Sequence, residues 1–217
     1  MVHFIHIGKT AGSTLVELLR WHGLDRTVAI HGHEFTLRDV PAGDSCFFFI
    51  RDPFTRYVSA FNSRRREGRP TYVYPHSPGE AEAFARFSTP NGLAEALNDP
   101  DPAVRAEAER AFGAIHHLRR GYEHYLVSPA YLAERAGDIL FIGRQETFAA
   151  SWHALRARLD VSDAGPEALP RIHAAPPGES TDLSPRAVAN LRERLAGDLA
   201  IHEHLLVAGV RADQAGD

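Results

Sequence analysis

Cysteine, lysine and long hydrophobic runs are scarce in this chain. The scarcity of cysteine argues against disulfides, and the scarcity of long hydrophobic runs argues against membrane-spanning helices. Cys46 is the only cysteine among 217 residues, so no disulfide can form within the chain, as is usual in a reducing compartment. The longest apolar runs fall well short of the roughly 18–20 residues that a membrane-spanning helix needs. No basic stretch leading into an apolar one opens the sequence, so we expect no signal peptide. Together these features predict a soluble, cytoplasmic protein that has no membrane partner.

The overall composition is that of a folded, weakly acidic protein. Hydrophobic residues make up 44% of the chain and charged residues 24%, which predicts one globular domain over residues 1–217, with two smaller domains as the alternative. The formal net charge of −4 argues against a nucleic-acid partner, because binding to phosphate backbones demands an excess of basic residues.

Lysine occurs once, at position 9, although the chain has 24 basic residues. Lysine carries a compact ammonium and arginine a planar fork, so the exception indicates a chemical requirement at this position. Lys9 follows an apolar stretch and precedes small residues and an amphipathic run, the pattern of a strand, a tight turn and a helix start. Backbone N–H groups converge on anions at such turns. We therefore expect Lys9 to handle a phosphate; the alternative is an accident of arginine-rich composition.

Strand-like and helix-like segments alternate along the chain. Short buried strands are expected at residues 2–7, 27–31, 46–50 and 138–143. Helices are expected at residues 13–22, 53–66, 81–97, 103–127, 147–159 and 185–208. Asp52 and Ser184, each followed by proline, are the expected N-caps of two of them. The alternation predicts an α/β fold with helices on both faces of a parallel sheet.

Residues 8–14 read Gly-Lys-Thr-Ala-Gly-Ser-Thr. The first three resemble the end of a Walker A loop, but His3 stands where that loop needs its first glycine. Small residues follow the lysine instead, and in this order the segment resembles the sulfate-donor loop of sulfotransferases that use 3′-phosphoadenosine 5′-phosphosulfate (PAPS). The resemblance implies a P-loop-like parallel sheet flanked by helices, the PAPS sulfotransferase fold, and no required metal. It further implies that the 5′ side of the nucleotide is held by Lys9, Thr10, Ala11, Gly12, Ser13 and Thr14.

A second motif begins at the end of the third predicted strand. Residues 49–61 read Phe-Ile-Arg-Asp-Pro-Phe-Thr-Arg-Tyr-Val-Ser-Ala-Phe, which places Arg51 at the edge where open α/β sheets bind ligands. The Arg-Asp-Pro-x-x-Arg-x-x-Ser-Ala pattern resembles the 3′-phosphate site of PAPS-dependent enzymes. It implies that Arg51 and Ser59 hold the 3′-phosphate. The alternative is that Arg51 and Arg56 merely pair with nearby acids such as Asp52.

A third motif, His31-Gly32-His33, follows the second predicted strand. It resembles the His-Gly-His of the heparan sulfate 2-O-sulfotransferase branch, which is related to the chondroitin sulfotransferases, and implies that both histidines serve catalysis. A strand would place them on one face. Because histidine suits base chemistry near neutral pH, we expect His33 to act as the base with help from His31, while Lys9 neutralises charge on the leaving oxygen. A His-x-His metal site and ordinary solvent-facing histidines are the alternatives.

Arginines at positions 64, 65 and 69 follow the second motif, the last of them within a long loop at residues 67–80. Arg64, Arg65 and Arg69 are predicted to bind an acidic acceptor, with a solvated helix end as the alternative. Residues 170–173, Pro-Arg-Ile-His, resemble the late loop near the adenine, except that the relatives usually have asparagine at the position of the histidine.

Three further histidines, His116, His117 and His124, fall on one predicted helix. His117 and His124 are seven residues apart and would share a helix face, so we expect surface or acceptor-pocket roles, with a metal site as a lesser alternative.

The predicted activity is transfer of a sulfuryl group from PAPS to a hydroxyl of a saccharide or glycosylated small molecule, with adenosine 3′,5′-bisphosphate (PAP) as product. An ATP- and Mg²⁺-dependent small-molecule kinase is the rival, but its acidic metal ligand should end a strand, and Arg51 stands there. A non-catalytic nucleotide-binding module that uses the loop at residues 67–80 for a partner is the third hypothesis.

Overall fold

The computed structural model describes residues 1–70, 73–161, 176 and 178–214. These residues form two compact units, the first made of residues 1–51, 122–161 and 200–214 and the second of the remainder. In these ranges no helix is long and apolar enough to cross a bilayer. The segment predicted to lie near the adenine, residues 170–173, is outside the described residues.

A parallel β-sheet organises the first unit. Its strands are β1 (Val2–Phe4), β2 (Val28–Ile30), β3 (Ser45–Ile50) and β4 (Ile139–Arg144), and their order across the sheet is β2-β1-β3-β4. β1 pairs in parallel with both β2 and β3, and β3 pairs in parallel with β4. The chain therefore leaves β1 for one neighbour and later returns on its other side, so the strand order reverses between β1 and β3.

Helices follow the strands in the first unit and make up most of the second. They are α1 (Gly12–Trp21), α2 (Pro53–Arg65), α3 (Pro78–Arg86), α4 (Pro90–Ala96), α5 (Pro102–Ala114), α6 (Tyr122–Leu126), α7 (Pro129–Glu134), α8 (Phe148–Arg158), α9 (Pro185–Arg194) and α10 (Ala196–Gln214). In the first unit α1 and α8 pack on one face of the sheet, and α6, α7 and α10 pack on the other. The predicted α/β class, a parallel sheet flanked by helices, is confirmed.

Strand β3 shows why the sheet must be covered on both sides. Phe48 and Ile50 point into one apolar cluster, and Phe47 and Phe49 point into the other. Such a strand can be buried only between two layers of helices. Close packing also explains Gly143 of β4, because a Cβ at that position would lie 2.5 Å from the Phe49 ring.

Three predicted helices are wrong as single elements. Residues 81–97 form α3 and α4, because Pro90 has no N–H to continue a helix and Thr89 caps the new one by accepting the Gly92 N–H at 3.0 Å. Residues 103–127 form α5 and α6, since the chain becomes extended at Ile115. The last helix is interrupted at Leu195, between α9 and α10.

Arg64 is a buried residue of the second unit, and the prediction that it binds an acceptor is wrong. Its Nε and Nη2 donate to the two carboxylate oxygens of Glu80 at 2.7 and 2.9 Å, and neither residue is more than 2% exposed. Its guanidinium also donates to the carbonyls of Tyr74 and Pro75 at 3.1 and 3.3 Å. A cluster of arginines in the sequence indicated a common surface, but the helical period of α2 turns Arg64 inward.

The carboxylate of Glu80 is stabilised in its charged form. Burial alone would raise the pKa of Glu80, but hydrogen bonds from Arg64 and from the N–H groups of His116 and Ser77 outweigh it and lower the pKa to about 2. Because the folded pKa lies below the ordinary value of 4.5, this carboxylate contributes stability above that value. The contribution is lost as the pH falls towards 2.

Removing the cation from this pair should destabilise the protein strongly. We expect Arg64→Met to lower the free energy of unfolding by about 3–5 kcal/mol at pH 7, because Glu80 would keep a buried charge without its partner. Urea unfolding measures the effect. Arg65→Met, on an exposed neighbour in the same helix, is the matched control and should stay within about 0.5 kcal/mol of the unmutated protein. Equal effects of the two substitutions would contradict the assignment.

Candidate functional site

The loop between β1 and α1 is shaped by its own hydrogen bonds. The Ile5 N–H donates to the Phe47 carbonyl of β3 at 3.0 Å, which continues the sheet pairing one residue beyond β1. The Thr10 hydroxyl donates to the Ile7 carbonyl at 2.9 Å, and the Thr10 side chain is buried. Thr10 was predicted to contact the nucleotide, but its hydroxyl proton closes the loop.

Two residues of this loop have left-handed backbones. Lys9 has a φ of 70° and Ala11 a φ of 69°, which is uncommon for residues that carry a side chain. Turns of this kind make concave groups of N–H donors that bind anions. Helix α1 begins at Gly12 without a side-chain hydrogen bond at its N-cap, Ala11. The N–H groups of the first helical turn therefore add positive potential beside Lys9.

Arg51 follows β3 directly and is held through its backbone. The hydroxyl of buried Tyr122 accepts the Arg51 N–H at 2.8 Å and donates to the Arg51 carbonyl at 2.6 Å. The Arg51 Nη1 lies 3.5 Å from the carbonyl oxygen of Lys9. Two segments that the sequence analysis found separately, the Lys9 loop and the Arg51 motif, therefore meet in the first unit.

Their meeting point is the place where the strand order reverses. Lys9 follows the carboxyl end of β1 and Arg51 follows the carboxyl end of β3, and these two strands are neighbours. Open α/β sheets bind their ligands in the crevice at such a reversal. The arrangement suits an anionic ligand, because it combines backbone donors, an ammonium and a guanidinium.

His6 belongs to the same loop and was missed by the sequence analysis. Its ring lies so close to Gly12 that a Cβ at residue 12 would fall 2.1 Å from ring atoms. Burial, the neighbouring His33 and the charge of Lys9 lower the pKa of His6 to about 3, so the ring is neutral at pH 7. No spacing rule links His6 to Gly12, because their contact depends on the conformation of the turn.

His33 lies beside His6 with a defined tautomer. Its Nδ1 donates to the His6 backbone carbonyl at 2.8 Å, since a carbonyl oxygen can only accept. The two imidazole rings are in contact, with centroids 4.3 Å apart. A neutral imidazole protonated on Nδ1 carries its lone pair on Nε2. The basic atom of neutral His33 is therefore Nε2.

His31 and His33 have different neighbours, so the expectation that a strand places them on one face is wrong. Strand β2 ends at Ile30, and its alternation stops before either histidine. His31 is hydrogen-bonded through its Nε2 to the Nδ1 of His3 at 2.9 Å, whereas His33 is bonded to the loop.

Residues of the second motif beyond Arg51 lie on α2 in the second unit. Ser59 is half-buried there, and its contact with a 3′-phosphate stays a prediction from the motif. Arg56 is buried, donates to the Arg120 carbonyl and has its Nη1 3.8 Å from Asp198 Oδ2. The alternative of a structural ion pair thus applies to Arg56, which lies beside Asp198.

Two of the three predicted acceptor-binding arginines are on the surface of the second unit. Arg65 is exposed at the end of α2. Arg69 is also exposed, and its Nη2 lies 3.3 Å from Glu67 Oε2. Both stay predicted contacts for an acidic acceptor, whereas Arg64 does not.

The histidines predicted to share one helix do not. Helix α5 ends before His116 and His117, which belong to the second unit, and His124 lies on α6 in the first. In the part of the chain that the structure describes, no three His, Cys, Asp or Glu side chains are grouped as a metal ion would require.

Comparison of the chain with protein-family models, curated proteins and solved structures finds no match. Its function must therefore be inferred from the residues of the site.

The contact of His6 with Gly12 can be tested by adding one methyl group. Gly12→Ala should lower the free energy of unfolding by about 1–3 kcal/mol in urea, because the His6 ring must move. Gly32→Ala is the matched control, since a Cβ there meets no atom within 4 Å. In a protein that already carries His6→Ala, adding Gly12→Ala should lower the free energy of unfolding much less. An unchanged penalty without the His6 ring would contradict the packing.

Proposed function

We propose that this protein is a sulfotransferase that moves a sulfuryl group from PAPS to a hydroxyl of a saccharide or other small molecule, on the PAPS sulfotransferase fold. The observation that carries the proposal is the 3.5 Å approach of Arg51 Nη1 to the Lys9 carbonyl at the strand-order reversal. Each of the two segments resembles the binding motif for a different phosphate of PAPS. A nucleotide with phosphates on both its 5′ and 3′ positions accounts for both.

In this proposal the 5′-phosphosulfate is held by the loop and the start of α1. Lys9 supplies an ammonium, and the backbone from Thr10 to Thr14 supplies N–H donors. Thr10 and Thr14 are buried, so we assign them backbone rather than side-chain contacts. Ser13 is half-buried, and its hydroxyl is the side-chain donor of this segment that we assign to the phosphosulfate.

The 3′-phosphate is assigned to Arg51. An arginine fork can give two parallel hydrogen bonds to one phosphate. The Tyr122 hydroxyl fixes the backbone of Arg51 on both its N–H and its carbonyl. Fixing the backbone in advance reduces the conformational entropy that ligand binding must remove.

Transfer itself is an in-line displacement at sulfur. The acceptor oxygen forms a bond to sulfur while the bond between sulfur and the bridging phosphate oxygen breaks. Negative charge grows on that phosphate, where the ammonium of Lys9 stabilises it. His33 takes the hydroxyl proton on Nε2, the atom left basic by its hydrogen bond to His6.

The nucleotide preference tests the assignment directly. Without magnesium, PAP should bind much more tightly than ADP, because only PAP has a 3′-phosphate for Arg51. Arg51→Gln should remove most of the difference, about 1.5–3 kcal/mol or roughly 10–150-fold in Kd, the contribution of a charged hydrogen bond. Isothermal calorimetry measures both nucleotides.

Arg65→Gln removes an exposed arginine and serves as the control, since it should leave both affinities unchanged. Equal affinity of the unmutated protein for PAP and ADP would refute the proposal. ATP binding that requires Mg²⁺ and exceeds PAP binding would instead favour the kinase.

The assignment of the base predicts a kinetic effect without a binding effect. His33→Ala should lower single-turnover transfer from PAPS to a simple glycoside by about 10²–10⁴-fold, the usual contribution of a positioned base. PAP affinity should be unchanged, since the base contacts the acceptor. His153→Ala, on an exposed histidine of α8, is the control for loss of an imidazole. A His33→Ala protein with full activity would place the base elsewhere.

A further inference from the structure

Three polar side chains of the first unit form a hydrogen-bonded chain that the proposed mechanism does not use. The Oδ2 of Asp44 lies 3.0 Å from the Nε2 of His3, and the Nδ1 of His3 lies 2.9 Å from the Nε2 of His31. His3, in the middle, is 6% exposed, while His31 at the end is half-buried. We call Asp44, His3 and His31 the relay.

With His3 neutral, the acid at one end fixes the position of every proton in the relay. Hydrogen bonds from the Met1 ammonium and from His3 lower the pKa of Asp44, so its carboxylate is ionised at neutral pH and can only accept. His3 must then carry a proton on Nε2. In its neutral form its Nδ1 is an acceptor, so the proton of the second bond belongs to the Nε2 of His31. The lone pair of His31 is left on Nδ1.

His31 is also held in place and kept neutral. Its ring is stacked on Phe35, with centroids 3.5 Å apart and planes 3° from parallel. Burial and the neighbouring His3 lower the pKa of His31, and Asp39 opposes them only partly. In the described part of the chain, no hydrogen bond engages the His31 Nδ1.

From this geometry we propose that Asp44 and His3 are positioning residues that make His31 a hydrogen-bond acceptor for a hydroxyl of the sugar. This inference rests on the proposed function and adds an acceptor subsite to it. A group that presents a lone pair attracts donors and repels phosphate or carboxylate oxygens. The relay therefore selects a polyhydroxyl acceptor at this position and rejects an anionic group.

Replacing the Asp44 carboxylate by an amide would reverse the direction of both hydrogen bonds in the relay. The NH₂ group of an asparagine can donate to His3 Nε2, which moves the proton of His3 to Nδ1. His3 would then donate to His31 Nε2, and the proton of His31 would move to Nδ1. The same logic explains why an amide in place of a carboxylate gives the wrong histidine tautomer in a catalytic triad.

Nitrogen NMR of protein labelled with ¹⁵N-histidine tests this without nucleotide or turnover. We expect His31, assigned by its loss in His31→Gln, to show a protonated Nε2 and an unprotonated Nδ1 at pH 7. Asp44→Asn should exchange these two states. Asp39→Asn is the matched control, because the Asp39 carboxylate acts electrostatically on His31 but is not bonded to His3. A protonated Nδ1 in the unmutated protein, or unchanged tautomers in Asp44→Asn, would overturn the proposal.

Ligand selectivity is tested with two probes, methyl β-glucoside for hydroxyls and inorganic phosphate for anions. The His31 Nδ1 signal should shift with the glucoside and not with phosphate, and Asp44→Asn should reverse this preference. A response to phosphate alone in the unmutated protein would refute the subsite. The two levels of proposal fail separately, since equal binding of PAP and ADP would refute the sulfotransferase and leave the His31 tautomer as predicted.

Discussion

Parallel pairing of β1 with β2 on one side and with β3 on the other decides which residues lie together at the carboxyl edge of the sheet. Where the strand order of an open α/β sheet reverses in this way, the carboxyl ends of the two inner strands border the place where such sheets bind ligands. Lys9 and Arg51 are the residues that the two strands deliver to it. The approach of the Arg51 Nη1 to the Lys9 carbonyl, and the hold of Tyr122 on the Arg51 backbone, both depend on this strand order.

The candidate site contains both positively charged groups and uncharged histidine rings. Lys9, Arg51 and backbone N–H groups lie at the loop, where an anion is expected. Burial lowers the pKa of His6 and of His31, so neither ring carries a positive charge that would attract the anion at pH 7. His33 and His31 are fixed in opposite tautomers, one by a backbone carbonyl and one through His3. Opposite tautomers leave Nε2 of His33 and Nδ1 of His31 as the acceptors.

Local patterns predicted the elements of the fold well and the contacts of the site poorly. The apolar run at β3 and the proline-started helices follow from nearest neighbours in sequence, and the structure confirms them. Both helix breaks were missed: the first has a local signal in the missing N–H of Pro90, whereas no proline marks the second at Ile115. Arg64 was misplaced because its burial depends on contacts with Glu80, Tyr74 and Pro75, which helical periodicity does not reveal. The contact of His6 with Gly12 and the bond of His3 to His31 were missed because they depend on the conformations of loops.

The central claim is that one nucleotide places its 5′-phosphate at the Lys9 loop and its 3′-phosphate at Arg51. Phosphorus NMR of bound PAP tests it most directly, since the two phosphates give separate signals. Both signals should shift on binding, Lys9→Arg should alter mainly the 5′ signal, and Arg51→Lys should alter mainly the 3′ signal. If binding leaves the 3′ signal unchanged, or if neither substitution affects the bound spectrum, the two segments do not form a PAPS site.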